Sequence, residues 1–125
     1  EHNIKNVIFT DFISDEQLRW MYENTAVYCF PSLSEGFGLP GLEAMLHGAP
    51  VASSTATCLP ETHGDAAHYF DPYDVEDIAR AIDDLLTDEK LRRRLIKKGK
   101  QHVKTFSWKR MAEQTLAVYN SVVKD

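Results

Sequence analysis

Residues 35–43 read EGFGLPGLE, with glycines at 36, 38 and 41 in the spacing G-x-G-x-x-G and a carboxylate at each end, Glu35 and Glu43. Before this stretch lies a short β-rich run, AVYCF at 26–30, stopped by Pro31. After it comes an apolar helical pattern through His47, closed by Gly48 with Pro50 just beyond. Proline suits the first turn of a helix because its missing N–H has no partner there anyway, so Leu39 or Pro40 is the expected helix start. Strand, glycine loop and helix in this order form the unit of an open parallel sheet. In such sheets ligands sit outside the carboxyl ends of the strands, where this loop lies.

The same alternation extends in both directions. NVIF at 6–9 reads as a buried first strand. Ser14-Asp15-Glu16-Gln17 is a capping box opening a helix with Leu18, Met21 and Tyr22 on one face, ending near Asn24 or Thr25. PVAS at 50–53 is a further strand, and His68 to Phe70 a short fourth. Asp74 caps a helix striped by Val75, Ile78, Ala79, Ile82, Leu85 and Leu86. A second helix from about Asp88 carries Leu91, Leu95, Ile96 and Val103, with Gly99 expected as a kink or early end. Ser107 caps a last helix striped by Trp108, Met111, Ala112, Thr115, Leu116, Tyr119 and Val122. These stripes read as packing faces. The fold class expected is α/β: a partial Rossmann-like domain, a parallel sheet of three to four strands with helices on both faces, and a helical C-terminus. Residues 1–125 form a single domain unit, and the abrupt start in a strand pattern gives it the look of a piece of something longer.

Composition narrows the functions. The net charge of −5 offers no electrostatic footprint for nucleic acid. The basic segment KLRRRLIKKGKQHVK at 90–104 reads as a solvated helix face, with a membrane or phosphate patch the lesser alternative. Cys29 and Cys58 lack C-x-x-C spacing, which suits a reduced, cytoplasmic setting with inert thiols. The five histidines form no H-x-x-x-H pair, so metal binding is not expected. No apolar run approaches the ~20 residues that cross a bilayer.

Three readings of EGFGLPGLE compete. A nicotinamide loop would need its first glycine directly after the strand and an acidic residue ending the next one. Here Pro31 to Glu35 intervene, and the next strand runs into Ser53-Ser54-Thr55, so that reading fails. A plain glycine turn into a helix explains Pro40 and one or two glycines, but not the bracketing carboxylates. A glycosyl-phosphate cradle explains more. Gly36 and Gly38 let the backbone approach a ligand, and the helix start aims free N–H groups at a diphosphate. Glu43 would meet a vicinal diol such as a ribose, and Glu35 the hydroxyls of a sugar at the other end. From the residues alone the turn and the cradle both stand.

The spacing E-x7-E from Glu35 to Glu43, within PSLSEGFGLPGLEAMLHGAPV, resembles the signature of family-4 glycosyltransferases of the GT-B fold. VIFTDFISDEQL and LPETHGDAAHYFDPYDVEDIARAIDDLL are similar to that family's flanking segments, so the likeness covers nearly the whole chain. It implies the later half of a C-terminal donor-binding domain, in a retaining enzyme that moves a sugar from a nucleoside diphosphate sugar. By that likeness Glu43 holds the donor's ribose hydroxyls, and Glu35 contacts sugar hydroxyls beside the reacting carbon, the catalytic position. The residues Gly36, Phe37, Gly38 and Leu39 supply the donor-binding loop, with backbone amides meeting sugar and diphosphate. The family generally needs no metal of the D-x-D type, and no D-x-D occurs here, so no cofactor is expected.

The resemblance also implies what this chain leaves to other residues. Basic side chains that neutralise the leaving diphosphate lie upstream in the family, as does the N-terminal domain that binds the acceptor, a sugar, lipid or small molecule. The 125-residue piece is therefore expected to be inactive alone and to bind donor weakly. Its first strand is expected to become an apolar edge that invites self-association, and peripheral membrane contact of the full-length protein stays open. In the family the last helix often packs on the N-terminal domain, which would leave Trp108 and Tyr119 exposed here. Asp11 stands where the family commonly has glycine, and reads first as a turn residue. Pro60, Glu61, Gly64 and Asp65 match the family's downstream pattern and read as a structural turn. The alternative class is a non-catalytic sugar-nucleotide sensor or scaffold of the same fold. A glycosidase with Glu35 and Glu43 as acid and base fits poorly, because a phosphate-type loop and helix start lie between them.

Overall fold

Helix starts in this chain are set by side chains that accept from otherwise unpartnered N–H groups. The computed structural model describes residues 4–123. Ser14 closes the expected capping box with Gln17 and opens α1, Asp15–Asn24. Asp74 accepts from Glu76 and Asp77 N–H and opens α4, Val75–Thr87. Asp88 and Ser107 do the same for α5, Glu89–His102, and α6, Trp108–Val122. Each such cap is worth about 1 kcal/mol against alanine. Two helices lack a side-chain cap and begin instead with proline in the first turn: α2, Leu39–Leu46, and the short α3, Leu59–His63.

Three strands form one parallel sheet in the order β1, β2, β3: Tyr28–Phe30, Val51–Ser54 and His68–Phe70. Tyr28 pairs with Val51, and Ala52 with His68. The fully buried β2 is central, as its apolar and small residues require of a strand covered on both faces. Its neighbours in sequence point to opposite sides. Val51 packs in a cluster with Leu42, Ala44 and Met45 of α2 and Tyr22 of α1. Ala52 packs in another with Phe70 of β3, Ala81 and Leu85 of α4, and Leu95 of α5. Helices therefore cover both faces, and burying a side chain such as Phe70 contributes about 2–3 kcal/mol to holding them there.

Three expectations need correction. The segment 6–9 is not a strand. Asn6 and Asp11 take left-handed backbone (φ 69° and 50°), no ladder partner lies beside the segment among the described residues, and Val7, Ile8 and Phe9 are exposed. Gly99 neither kinks nor ends α5. A Cβ there would stand 3.0 Å from Met45 Cγ, so glycine lets α5 close onto α2. The stripe of α6 buries no residue among the described ones, and Trp108, Tyr119 and Val122 are all exposed. An amphipathic pattern specifies that a face wants cover, not where the cover comes from.

Candidate functional site

The loop 31–38 leaves the carboxyl end of β1 and is held from below by the segment that leaves β2. Ser54 Oγ donates to the Ser32 carbonyl at 2.6 Å. Thr57 Oγ1 accepts from the Glu35 N–H at 3.2 Å and lies 3.3 Å from the Glu35 carbonyl, to which Cys58 Sγ donates at 3.2 Å. Thr57 makes these contacts from left-handed backbone (φ 49°), which a β-branched residue adopts at a cost of about 1–3 kcal/mol. The surrounding hydrogen bonds fix it there. Burial pushes the Cys29 thiol up, in keeping with an inert role.

The glycines of the loop differ in what they do. Gly38 is the residue before α2, in left-handed backbone (φ 88°), where a Cβ would lie 2.5 Å from Leu59 Cδ2. Gly41, inside α2, packs on the His63 ring, and a Cβ there would come within 2.3 Å of Nε2. Gly36 is neither left-handed nor crowded: nothing stands within 4 Å of where its Cβ would be. No loop or cap hydrogen bond of the backbone uses the N–H of Gly36, Phe37, Gly38 or Leu39 as donor among the described residues. The helix start thus presents a run of unused donors.

The two carboxylates fall on different sides of this run. Glu35 is half-buried, and its contacts to the β2 segment run through its backbone. Glu43 is exposed on α2 and lines a groove of 670 Å³ together with Phe37, Leu39, Leu46, Phe106 and Trp108. Phe37 stands edge-on to Phe106 at 5.8 Å between ring centres. The structure therefore gathers Phe37, Leu39 and Glu43 on one groove, while Glu35 and Gly36 stand at the other end of the loop. Behind Glu43, burial pushes the phenols of Tyr22 and Tyr28 up, and the Glu43 charge adds to both shifts. Among the described residues no three His, Cys, Asp or Glu side chains come together as metal ligands.

Sequence reasoning missed His63. Its side chain is fully buried, with Nε2 at 3.0 Å from the Gly38 carbonyl and Nδ1 at 3.1 Å from Ser53 Oγ. A carbonyl can only accept, so Nε2 carries the proton. Burial lowers the pKa of this imidazole, against the opposing pull of the bond to Gly38, and nearby His102 lowers it further. In the neutral ring Nδ1 is then the acceptor for the Ser53 hydroxyl. The signal for this was faint: one histidine in a short helix beginning with proline, 25 residues from the carbonyl it meets.

With that geometry in view, the comparisons with known proteins decide the family. The family model described as glycosyl transferases group 1 matches residues 1–102. The chain belongs to the group 1 glycosyltransferases. It is 39% identical over 118 residues to the serotype-specific mannosyltransferase WbdA of Escherichia coli, covering 94% of this chain and 14% of that protein. It is 38% identical over 128 residues to the MMP alpha-(1->4)-mannosyltransferase of Mycolicibacterium hassiacum, covering 98% of this chain and 31% of that one. Among solved structures, sucrose-phosphate synthase from Thermosynechococcus elongatus superposes with a TM-score of 0.78 at 32% identity, over 92% of this chain and 30% of that chain. The group 1 chain described here thus spans less than a third of the length of these relatives. Its sheet with helices on both faces is the Rossmann-like arrangement of a GT-B C-terminal domain. No helix among the described residues is long and apolar enough to cross a membrane.

Proposed function

We propose that this chain is the donor-binding portion of a longer, retaining glycosyltransferase that moves a sugar from a nucleoside diphosphate sugar to an acceptor. The observation that carries this reading is the loop Gly36 to Leu39. Among the described residues its backbone N–H groups have no protein partner, and its first glycine is required by neither backbone nor packing. A glycine that the protein itself does not need leaves room for something that is not protein. Unused amides at the first turn of α2 suit the diphosphate, whose charge they meet with the positive end of the helix.

The carboxylates complete the order of groups. Glu43 accepts from the ribose diol, and Glu35 accepts from donor-sugar hydroxyls near the reacting carbon. The separation of the two along the loop supports this division, since Glu43 lines the groove and Glu35 stands against the β2 segment. The reading needs no metal or cofactor: backbone amides and basic side chains elsewhere in the full-length protein meet the phosphate charge. The relatives named as mannosyltransferases favour a hexose as the sugar. The acceptor, a sugar, lipid or small molecule, binds outside this chain, the setting is cytoplasmic, and the isolated piece self-associates.

The test is a titration of the full-length protein with nucleoside diphosphate hexoses of different base and sugar, mannosyl donors included. Glu43→Ala is expected to weaken every donor sharing the preferred nucleotide by about tenfold to a hundredfold, the loss of one to two charge-assisted hydrogen bonds. Glu35→Ala is expected to leave binding of the bare nucleoside diphosphate intact while abolishing transfer. Unchanged donor affinity in the Glu43 variant would sink the ribose role.

A further inference from the structure

Resting on the donor-loop reading above, we propose that His63 is a positioning residue for the anionic donor. It locks the peptide between Gly38 and Leu39 so that the Leu39 N–H faces the phosphate oxygens. The Gly38 carbonyl accepts two hydrogen bonds, from the Gly41 N–H at 3.1 Å and from His63 Nε2 at 3.0 Å. Both lone pairs are therefore used, and the plane of the peptide is fixed. In a trans peptide the N–H points opposite to the C=O of the same unit. Pinning the Gly38 oxygen inward against His63 consequently turns the Leu39 N–H outward, and that N–H is one of the unused donors of the loop.

The ring can do this because it cannot move. It is fully buried, held at Nδ1 by Ser53 on the central strand and faced by Gly41 so closely that no Cβ fits between. The hydrogen bond to Ser53 thus ties the aim of a loop amide to the sheet itself, where an amide positioned by loop backbone alone would wander. Gly38 lies in left-handed backbone, a conformation in which glycine also has ready alternatives. The second bond to its oxygen removes them. His63 touches no substrate in this arrangement and acts only through the peptide.

Two substitutions separate positioning from mere packing. In His63→Gln the side-chain amide can stand where Nε2 stands and donate to the Gly38 carbonyl. In His63→Asn the shorter side chain reaches Ser53 but not Gly38. Both lose the aromatic ring, so thermal unfolding gives a common baseline. In the full-length protein, H63N is expected to raise the donor KM by about tenfold or more, the scale of effect from misplacing a group by less than 1 Å, with kcat little changed. H63Q is expected to stay near the wild-type KM, and the Leu39 amide resonance to shift in H63N and not in H63Q. Equal KM values in the two variants, or KM values that follow Tm, would overturn the proposal. Should H63N not fold, Ser53→Ala loosens the ring from its other end, and an unchanged donor KM there overturns it equally. If the wild type binds no nucleoside diphosphate, the donor-loop reading fails and this role with it. If the wild type binds and H63N binds as well, the role of His63 alone fails.

Discussion

His63 shows how one side chain can couple the site to the stability of the fold. Its folded pKa is lowered by burial, so the unfolded chain takes up a proton near the ordinary value of 6.5 while the folded chain resists until lower pH. Between those limits the unfolded state holds more protons, and stability falls as pH falls. The contribution is whole above about 6.5 and is lost on acidification, before the half-buried carboxylates Asp77, held low chiefly by Arg80, and Asp84, held low by His68 and Arg80, begin to protonate. Urea unfolding at a series of pH values from 7.5 to about 5 is expected to show this decline in the wild type and to show it flattened in H63Q. A wild-type curve level across that range would show that the ring is not held neutral. The glycine loop and the helix start behind it were legible from the residues, whereas the roles proposed for Glu35 and Glu43 rested on the family resemblance. His63 was not legible, because its partners Ser53 and Gly38 stand 10 and 25 residues away, and no local pattern encodes such a meeting.

At the scale of elements, the helices were the most legible part of the chain. Ser14, Asp74 and Ser107 each cap the helix expected of them, and Asp88 caps the one expected to start near it, because capping is a contact between residues two or three apart. Strands β2 and β3 were legible as short β-rich runs. The run at 6–9 has the same composition and forms none, since a strand exists only by pairing and the sequence of one run says nothing of its neighbour. The meeting of α2 and α3 is the element contact on which the role proposed for His63 rests. Gly41→Ala is expected to gain about 1 kcal/mol of helix propensity and yet to destabilise by about 1–3 kcal/mol net, because the added methyl meets a ring held at both ends. Thermal unfolding would register this as a fall of several degrees, and a Tm equal to wild type would mean that the ring yields.

At the scale of the molecule, apolar surface lies open in two places. Ile8, Phe9 and Phe12 are each more than 85% exposed, and α6 carries Trp108, Leu116, Tyr119 and Val122 along its length without burying a residue. Exposed apolar side chains in such numbers favour cover from water. The 125-residue chain is therefore expected to self-associate, with sedimentation coefficients rising with concentration in velocity ultracentrifugation. A monomer at every concentration would count against it. The exposure of Trp108 and Tyr119 followed from the family resemblance, where composition and periodicity alone assigned α6 a packing face.

Gly36 has a consequence for how such a loop can change. Of the three loop glycines it alone is neither twisted into a left-handed state nor pressed by a neighbour. Gly38 and Gly41 are bound to the architecture, and altering either trades folding for whatever is gained. At position 36 that trade-off is absent, so on the proposed donor-loop reading a side chain introduced there would meet the donor before it meets the protein. Variation in which donor is accepted can accumulate at such a position without a debt in thermal stability, which makes Gly36 the natural first site for retuning the loop by directed evolution.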